Sequence, residues 1–288
     1  MSVPLLHPDV TVTLNNGVQM PQLGFGVSEA RDAEASVTDA LAYGYRSIDT
    51  AAVYGNEDGV GSALAHSGLP REELFVTTKV WQGHQGCAHA LSCAEQSLKR
   101  LGLDYVDLYL VHWPPTEPEE CEQTWSAMEQ LVDEGRARAI GVSNFRAGHL
   151  QRILDLGGTV PAVNQIELHP HLQQRELRAR HAAEGIVTEA WSPLARGAVL
   201  DEPVLVEIAE RLSVTTAQVV LRWHLQMGTV VIPKSDTPER IAANHAVFEI
   251  ALGDDDMQAI FELDVPDGSG RIGPVPDDPD DAAGTEGH

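Results

Sequence analysis

Eight times along this chain, a short apolar run bounded by turn residues gives way to an amphipathic stretch. The runs are Gln22–Gly26, Arg46–Asp49, "LFVTTKV", "VDLYLVHW", "ARAIGVSN", "AVNQIEL", "IVTEAWS" and "VVIPKS". The spacing predicts helices near Ala33–Tyr43, Gly59–His66, Ala88–Leu101, Cys121–Glu134, Ala147–Leu156, Arg175–Ala183, Val204–Leu212 with Thr216–Gln226, and Pro238–His245. Such alternation means parallel strands joined by crossover helices. Eight units in about 250 residues match an α/β fold of the (β/α)8 TIM barrel type, as one domain over residues 1–288. The rival is an open doubly wound sheet, but no G-x-G-x-x-G follows the first strand. "GVGSALAHSG" follows a loop and carries Leu64 at its third glycine position.

The ends of the chain lie outside this repeat. "VTVTLNNGVQM" predicts an N-terminal β-hairpin turning at Asn16 and Gly17. One more helix is expected near Asp255–Asp264. Residues 265–288, rich in Gly, Pro and Asp, then read as an irregular acidic tail, ordered only where it packs against something.

Composition narrows the function. The net charge of -24 repels nucleic acid and anionic membranes, so an anionic ligand needs a local basic site. No run of about 18 apolar residues appears, and the start lacks a basic segment followed by an apolar one, so neither a membrane span nor a secretion signal is expected. Cys87, Cys93 and Cys121 show no C-x-x-C spacing, which fits reduced thiols in a cytoplasm. His169-x-His171 lacks further spaced ligands, so no metal is expected.

In a barrel of this type the active site lies at the C-terminal strand ends. Polar or aromatic residues stand at almost every one: Asp49, Lys79, His112, Ser143 with Asn144, Gln165, Trp191 with Ser192, and Lys234 with Ser235. Neighbouring strands lie ~4.8 Å apart, so Asp49, Lys79 and His112, from consecutive strands, should converge, with Tyr54 on the loop after Asp49. Each has an ordinary reading alone: a helix cap for Asp49, a snorkelling edge residue for Lys79, a core histidine for His112, loop packing for Tyr54. Their shared end of the barrel favours a site. Lys79 is one of only three lysines and ends a run buried on both faces, so it needs Asp49 as counter-ion. The cation should favour phenolate and lower the Tyr54 pKa, making a useful acid or base. A neutral His112 can donate to a carbonyl oxygen. Such a set can protonate an oxygen on which charge develops when hydride reaches a carbonyl carbon.

These residues resemble a known family. Asp49, Tyr54, Lys79 and His112, in "IDTAAVYGNE", "TTKVW" and "LYLVHWP", are similar to the catalytic tetrad of the aldo-keto reductases; "GVSNF", "NQIELHPHL", "AWSPLARG" and "IPKS" follow in that family's order. The closing "DGSGR" resembles bacterial members of the 2,5-diketo-gluconate reductase type. The resemblance implies an NADPH-dependent reductase of aldehydes or ketones, by default a monomer. It places Ser143, Asn144 and Gln165 on the nicotinamide carboxamide, Trp191 on the nicotinamide ring, and Ser192, Leu194 and Gly197 along the pyrophosphate. Lys234, Ser235, Arg240 and Asn244 fall at the adenine end. Val27, Ser28, Trp81 and Trp113 would shape the substrate pocket.

The adenine end also has an argument of its own. Thr237 and Pro238 open a helix whose first turn carries Arg240, where the dipole disfavours a cation unless an anion is bound there. Four positions depart from the family pattern: Ala243 replaces a glutamate, Asp236 adds negative charge, Ser28 replaces a frequent aromatic, implying a roomier pocket, and His171 replaces a frequent tyrosine. Two other readings are a barrel aldolase forming a Schiff base on Lys79 and a non-enzymatic nucleotide-sensing subunit on the same fold.

Overall fold

Runs that read as continuously apolar become strands covered on both faces, as parallel strands under crossover helices must be. In the computed structural model, which describes residues 7, 9–81, 83, 86–115 and 117–276, every residue of β5 (Phe75–Val80) and β6 (Val106–Val111) is buried. The other barrel strands are β3 (Phe25–Gly26), β4 (Ser47–Asp49), β7 (Ala137–Ser143), β8 (Val163–Glu167), β9 (Val187–Trp191) and β10 (Val230–Val231), all parallel and adjacent in chain order. A parallel bridge between Leu23 and Val231 joins the first strand to the last. Gly24 N donates to Val231 O at 2.8 Å and Val231 N to Gln22 O at 3.0 Å, which closes the ring. The doubly wound alternative is excluded.

Around the ring lie α1 (Ala33–Ala42), α2 (Glu57–His66), α3 (Cys87–Leu101), α4 (Pro118–Asp133), α5 (Ala147–Asp155), α6 (Arg175–Glu184), α7 (Pro203–Leu212), α8 (Thr216–Gln226) and α9 (Pro238–His245), with α10 (Asp254–Phe261) beyond them. Their apolar faces follow helical spacing. In α3 the buried positions are Ala90, Cys93, Ala94, Ser97, Leu98 and Leu101, three or four residues apart. Caps fix several starts: Asp32 Oδ1 accepts from Ala35 N at 3.0 Å, and Thr215 with Gln218 forms a reciprocal box. The largest boundary differences are at three helices. Helix α2 begins at Glu57, two residues earlier than predicted, α4 begins at Pro118, three residues before Cys121, and α10 ends at Phe261, three residues before Asp264.

The hairpin is present as β1 (Thr11–Thr13) and β2 (Gln19–Pro21). Its turn is a three-residue loop, not a two-residue one: Gly17 N donates to Leu14 O at 2.8 Å and Leu14 N to Val18 O at 2.9 Å. Gly17 takes φ +87, the left-handed position this loop needs. Leu14 and Met20 from the hairpin pack with Phe75, Leu108, Ala139, Val163 and Val230, filling the N-terminal end of the barrel. Each of these larger apolar side chains contributes about 1.5–3 kcal/mol on burial. The opposite end is therefore the one left for chemistry.

The tail is irregular from Val265 to Pro276, where the described residues end; the remainder of the expected acidic segment lies outside them. It is pinned at Glu167, the last residue of β8. Ile272 N and Gly273 N donate to the Glu167 carboxylate at 2.6 and 3.1 Å, and Arg271 reaches it at 3.2 Å.

Candidate active site

The C-terminal ends of the neighbouring strands β4 and β5 bring the first two site residues together. Lys79 Nζ donates to Asp49 Oδ1 at 2.6 Å and to the Thr50 carbonyl at 2.9 Å, with Lys79 wholly buried. Burial works to lower the lysine pKa, but Asp49, Tyr54 and Glu189 outweigh it and hold the amine above its usual value. Lys79 is thus a fixed cation. A Schiff-base lysine needs a depressed pKa and a free amine, so the aldolase reading fails here.

Tyr54 follows on a short 3-10 turn, half-buried, with Lys79 Nζ 5.3 Å from its ring centre. The turn is held by Asn56, whose Oδ1 accepts from Thr50 Oγ1 at 2.8 Å and whose Nδ2 donates to Val27 O at 2.9 Å. Burial raises the Tyr54 pKa, Lys79 lowers it, and Asp49 raises it again; Ser28 and Lys79 favour the phenolate by hydrogen bonding. The net direction is upward. This corrects the expectation that Lys79 would lower it: in the free protein desolvation exceeds the pull of one cation already neutralised by Asp49.

His112 sits just past β6, 7% exposed, edge-on to both Tyr54 (5.6 Å between ring centres) and Trp81 (5.2 Å). Burial, then the Lys79 charge, push its pKa well below the usual histidine value, so the ring is neutral. Nδ1 is buried without a partner, which leaves Nε2 as the nitrogen for a ligand.

The expected cofactor residues form a second, connected group. Ser143 Oγ donates to Gln165 O at 2.9 Å. Asn144, at φ +63, donates through Nδ2 to His112 O (3.0 Å) and Ser143 Oγ (3.1 Å), and accepts from Trp191 Nε1 at 2.9 Å. Asparagine tolerates this left-handed backbone better than most residues. Gln165 Nε2 donates to Asp49 Oδ2 at 2.9 Å and to Glu189 Oε2 at 2.7 Å. The following loop is wound with Ser192, Ala195 and Arg196 all at positive φ, and Leu194 packs inward between two apolar clusters, ahead of Gly197. Three non-glycine residues in that region within five positions mark a locally strained backbone of the kind that gathers at functional sites.

At the far end, Lys234 Nζ donates to Glu29 O at 2.9 Å and pairs with Asp236 Oδ2 at 2.7 Å; Arg31 N donates to the other Asp236 oxygen at 3.1 Å. Ser235 Oγ accepts from Thr237 N at 3.1 Å, while the Thr237 side chain makes no cap bond at the start of α9. Arg240 is exposed in that first turn and Asn244 is buried near its end. Arg196 reaches across to Glu29 at 3.2 Å.

Among the expected pocket residues, Ser28 is exposed beside the Tyr54 hydroxyl, Trp81 is buried against His112, and Trp113 is half-buried. Val27 is fully buried in the main apolar core. His169 and His171 turn to different partners, Glu167 at 3.0 Å and Glu202 at 2.9 Å. Two carboxylates, Glu167 and Glu189, escaped the sequence reading, and a third, Glu57, stands at the start of α2. Glu57 is buried between Thr78 and Arg100, Glu167 anchors the tail, and Glu189 shares the Gln165 amide. The signal for the last two was present: an acidic residue inside an otherwise apolar barrel strand.

Comparison with known proteins agrees with this arrangement. The Aldo/keto reductase family model matches residues 14–265. A Bacillus subtilis protein named glyoxal reductase is 49% identical over 93% of this chain and 96% of its own. The Salmonella typhimurium protein named methylglyoxal reductase DkgA is 48% identical over 92% and 96%. The solved structure of a Gox0644 variant in complex with NADPH superposes with a TM-score of 0.88 at 46% identity, covering 93% of this chain and 97% of that one. A closed parallel barrel with a buried lysine–aspartate pair and a tyrosine at its C-terminal mouth defines an oxidoreductase of the carbonyl-reducing class. The chain belongs to the aldo/keto reductase family. With membership goes NADP dependence, and the sensor alternative is set aside.

Proposed function

We propose that this chain reduces small aldehydes and ketones, including 1,2-dicarbonyls of the glyoxal and methylglyoxal kind, with NADPH, and that Asp49, Tyr54, Lys79 and His112 perform the proton chemistry. The observation that carries the reading is the buried Lys79–Asp49 pair beside Tyr54 and a neutral His112. The names of the two relatives suggest the dicarbonyl substrates.

The residues present suit the cofactor. Arg240 has no ion-pair partner among the described residues and stands where α9 lacks a side-chain cap, so a phosphate would relieve both. Ser143, Asn144 and Gln165 are assigned to the carboxamide, Trp191 to the ring, Ser192, Leu194 and Gly197 to the pyrophosphate, and Lys234, Ser235, Arg240 and Asn244 to the adenosine end. Bound NADPH supplies the hydride.

The chain's own part is the proton. As charge grows on the carbonyl oxygen, Tyr54 gives up its phenolic proton to that oxygen. The raised pKa keeps this proton in place beforehand, and Lys79 steadies the phenolate left behind. His112 Nε2 donates a hydrogen bond that holds the oxygen in line. Asp49 keeps Lys79 charged and immobile. Ser28, Trp81 and Trp113, backed by Val27, shape the substrate side. We take the working form to be a cytoplasmic monomer acting on small molecules and not on nucleic acid or membrane. The charge of -24 and the three unpaired thiols support this; no helix among the described residues is long and apolar enough to cross a membrane. The test is loss of NADPH absorbance against a panel of carbonyl compounds. Turnover of methylglyoxal with NADPH is expected; no turnover of any panel member would overturn the reading.

A further inference from the structure

One amide joins three strands inside the barrel. Gln165 on β8 uses its single Nε2 to meet Asp49 on β4 and Glu189 on β9. Strands β4 and β8 are four places apart in the ring of eight, so the amide reaches from one wall to the other. Gln165 and Glu189 are also register partners, which holds them side by side.

The charges in this layer do not balance if both acids ionise. Asp49 takes Lys79, the nearest cation, at 2.6 Å. Glu189 is fully buried, its Oε1 has no hydrogen-bond partner, and its partner on the other side, Val230 of β10, is apolar. The charged groups facing it are Asp49 and Lys79. A bare carboxylate oxygen in such a place is strongly disfavoured. Burial, then the Asp49 charge, push the Glu189 carboxyl up to about 8, against the opposing pull of Gln165 and Lys79.

We propose that Glu189 is a positioning residue that acts on Gln165 as a neutral acid. Its Oε2 accepts the second N–H of the amide, so both hydrogens of Nε2 are spent on carboxyl oxygens. Oε1 of Gln165 is then fixed as an acceptor for the cofactor carboxamide. Because Glu189 carries a proton, it supplies this bond without competing with Asp49 for Lys79 or adding negative charge beside Tyr54. The inference rests on the cofactor assignment proposed above.

The test measures NADPH dissociation by tryptophan fluorescence, with no substrate present, in the native protein, Glu189→Leu and Glu189→Gln. An amide side chain at 189 can still accept from Gln165 but cannot titrate. Glu189→Leu should weaken binding roughly tenfold, and Glu189→Gln should stay within about twofold at neutral pH. Native binding should weaken as the pH passes about 8, and Glu189→Gln should remove that step. Infrared difference spectra between the two should show a protonated carboxyl at neutral pH in the native protein only. Native-like binding in Glu189→Leu with only a lower melting temperature would overturn the proposal, as would absence of the carboxyl band. If Glu189→Leu does not fold, the pH step and the infrared band decide. Failure of the native protein itself to bind NADPH would overturn the cofactor assignment as well, and is read separately in the same titration.

Discussion

Trp191 Nε1 donates to Asn144 Oδ1 at 2.9 Å, and Asn144 in turn donates to the His112 carbonyl at 3.0 Å. The ring assigned to the nicotinamide and the histidine assigned to the substrate thus share one support. Asn144→Ala removes three side-chain hydrogen bonds and puts a residue with no polar side chain at φ +63. A loss of about 1–3 kcal/mol in unfolding free energy is expected in urea titration, with weaker NADPH binding.

Asp236 occupies Lys234, one of the groups proposed to receive the 2′-phosphate. Despite partial burial, the Lys234 hydrogen bond, one from the Arg31 backbone N–H and the charges of both residues hold its carboxyl below the usual range. Both partners are part-exposed, and pairs of this kind are worth ~0.2–1 kcal/mol. Asp236→Asn should therefore tighten NADPH binding by roughly two- to fivefold and leave NADH nearly unchanged. Calorimetric titration with both nucleotides checks this.

The strap from Gly270 to Gly273 lies against Trp191 so closely that a methyl at Gly273 would overlap the indole. Its anchor is Glu167. Glu167→Ala should free the strap, seen as faster proteolytic cleavage near Gly268, and should raise KM for the carbonyl substrate more than it changes kcat. Unchanged cleavage would mean the anchor is not what holds the strap.

Most of the barrel was legible because its signal is repetition. Apolar runs of strand length and helical spacing recur in phase, and the polar residues at their ends are visible as interruptions. What the sequence did not reveal depends on contacts between distant segments. Glu189 and Glu167 look like incidental acids until Gln165 and Ile272, from elsewhere in the chain, are placed beside them. The direction of the Tyr54 pKa was likewise not readable, since it turns on how deeply the phenol is desolvated, and sequence gives the neighbouring charges but not the depth.

Buried histidines set the acid limit, His181 and His224 among them. Burial pushes His181 down to about 4 and His224 down to about 3, while both would titrate near 6.5 in an unfolded chain. Between those values the unfolded state binds more protons than the folded one, so stability falls as pH drops below about 6.5. His181 is held neutral between Asn164 at 2.9 Å and Thr188 at 2.8 Å. Melting temperature should decline from neutral pH towards about 4, and His181→Gln should flatten that slope even if it lowers the plateau.

Tyr54 is the group on which the account depends most. The decisive measurement is single-turnover reduction of methylglyoxal by NADPH in Tyr54→Phe, alongside NADPH binding to the same protein. Loss of the proton donor should slow turnover by about 10²–10⁴-fold with cofactor affinity preserved. Turnover close to native in Tyr54→Phe would contradict the assignment of proton delivery to this tyrosine.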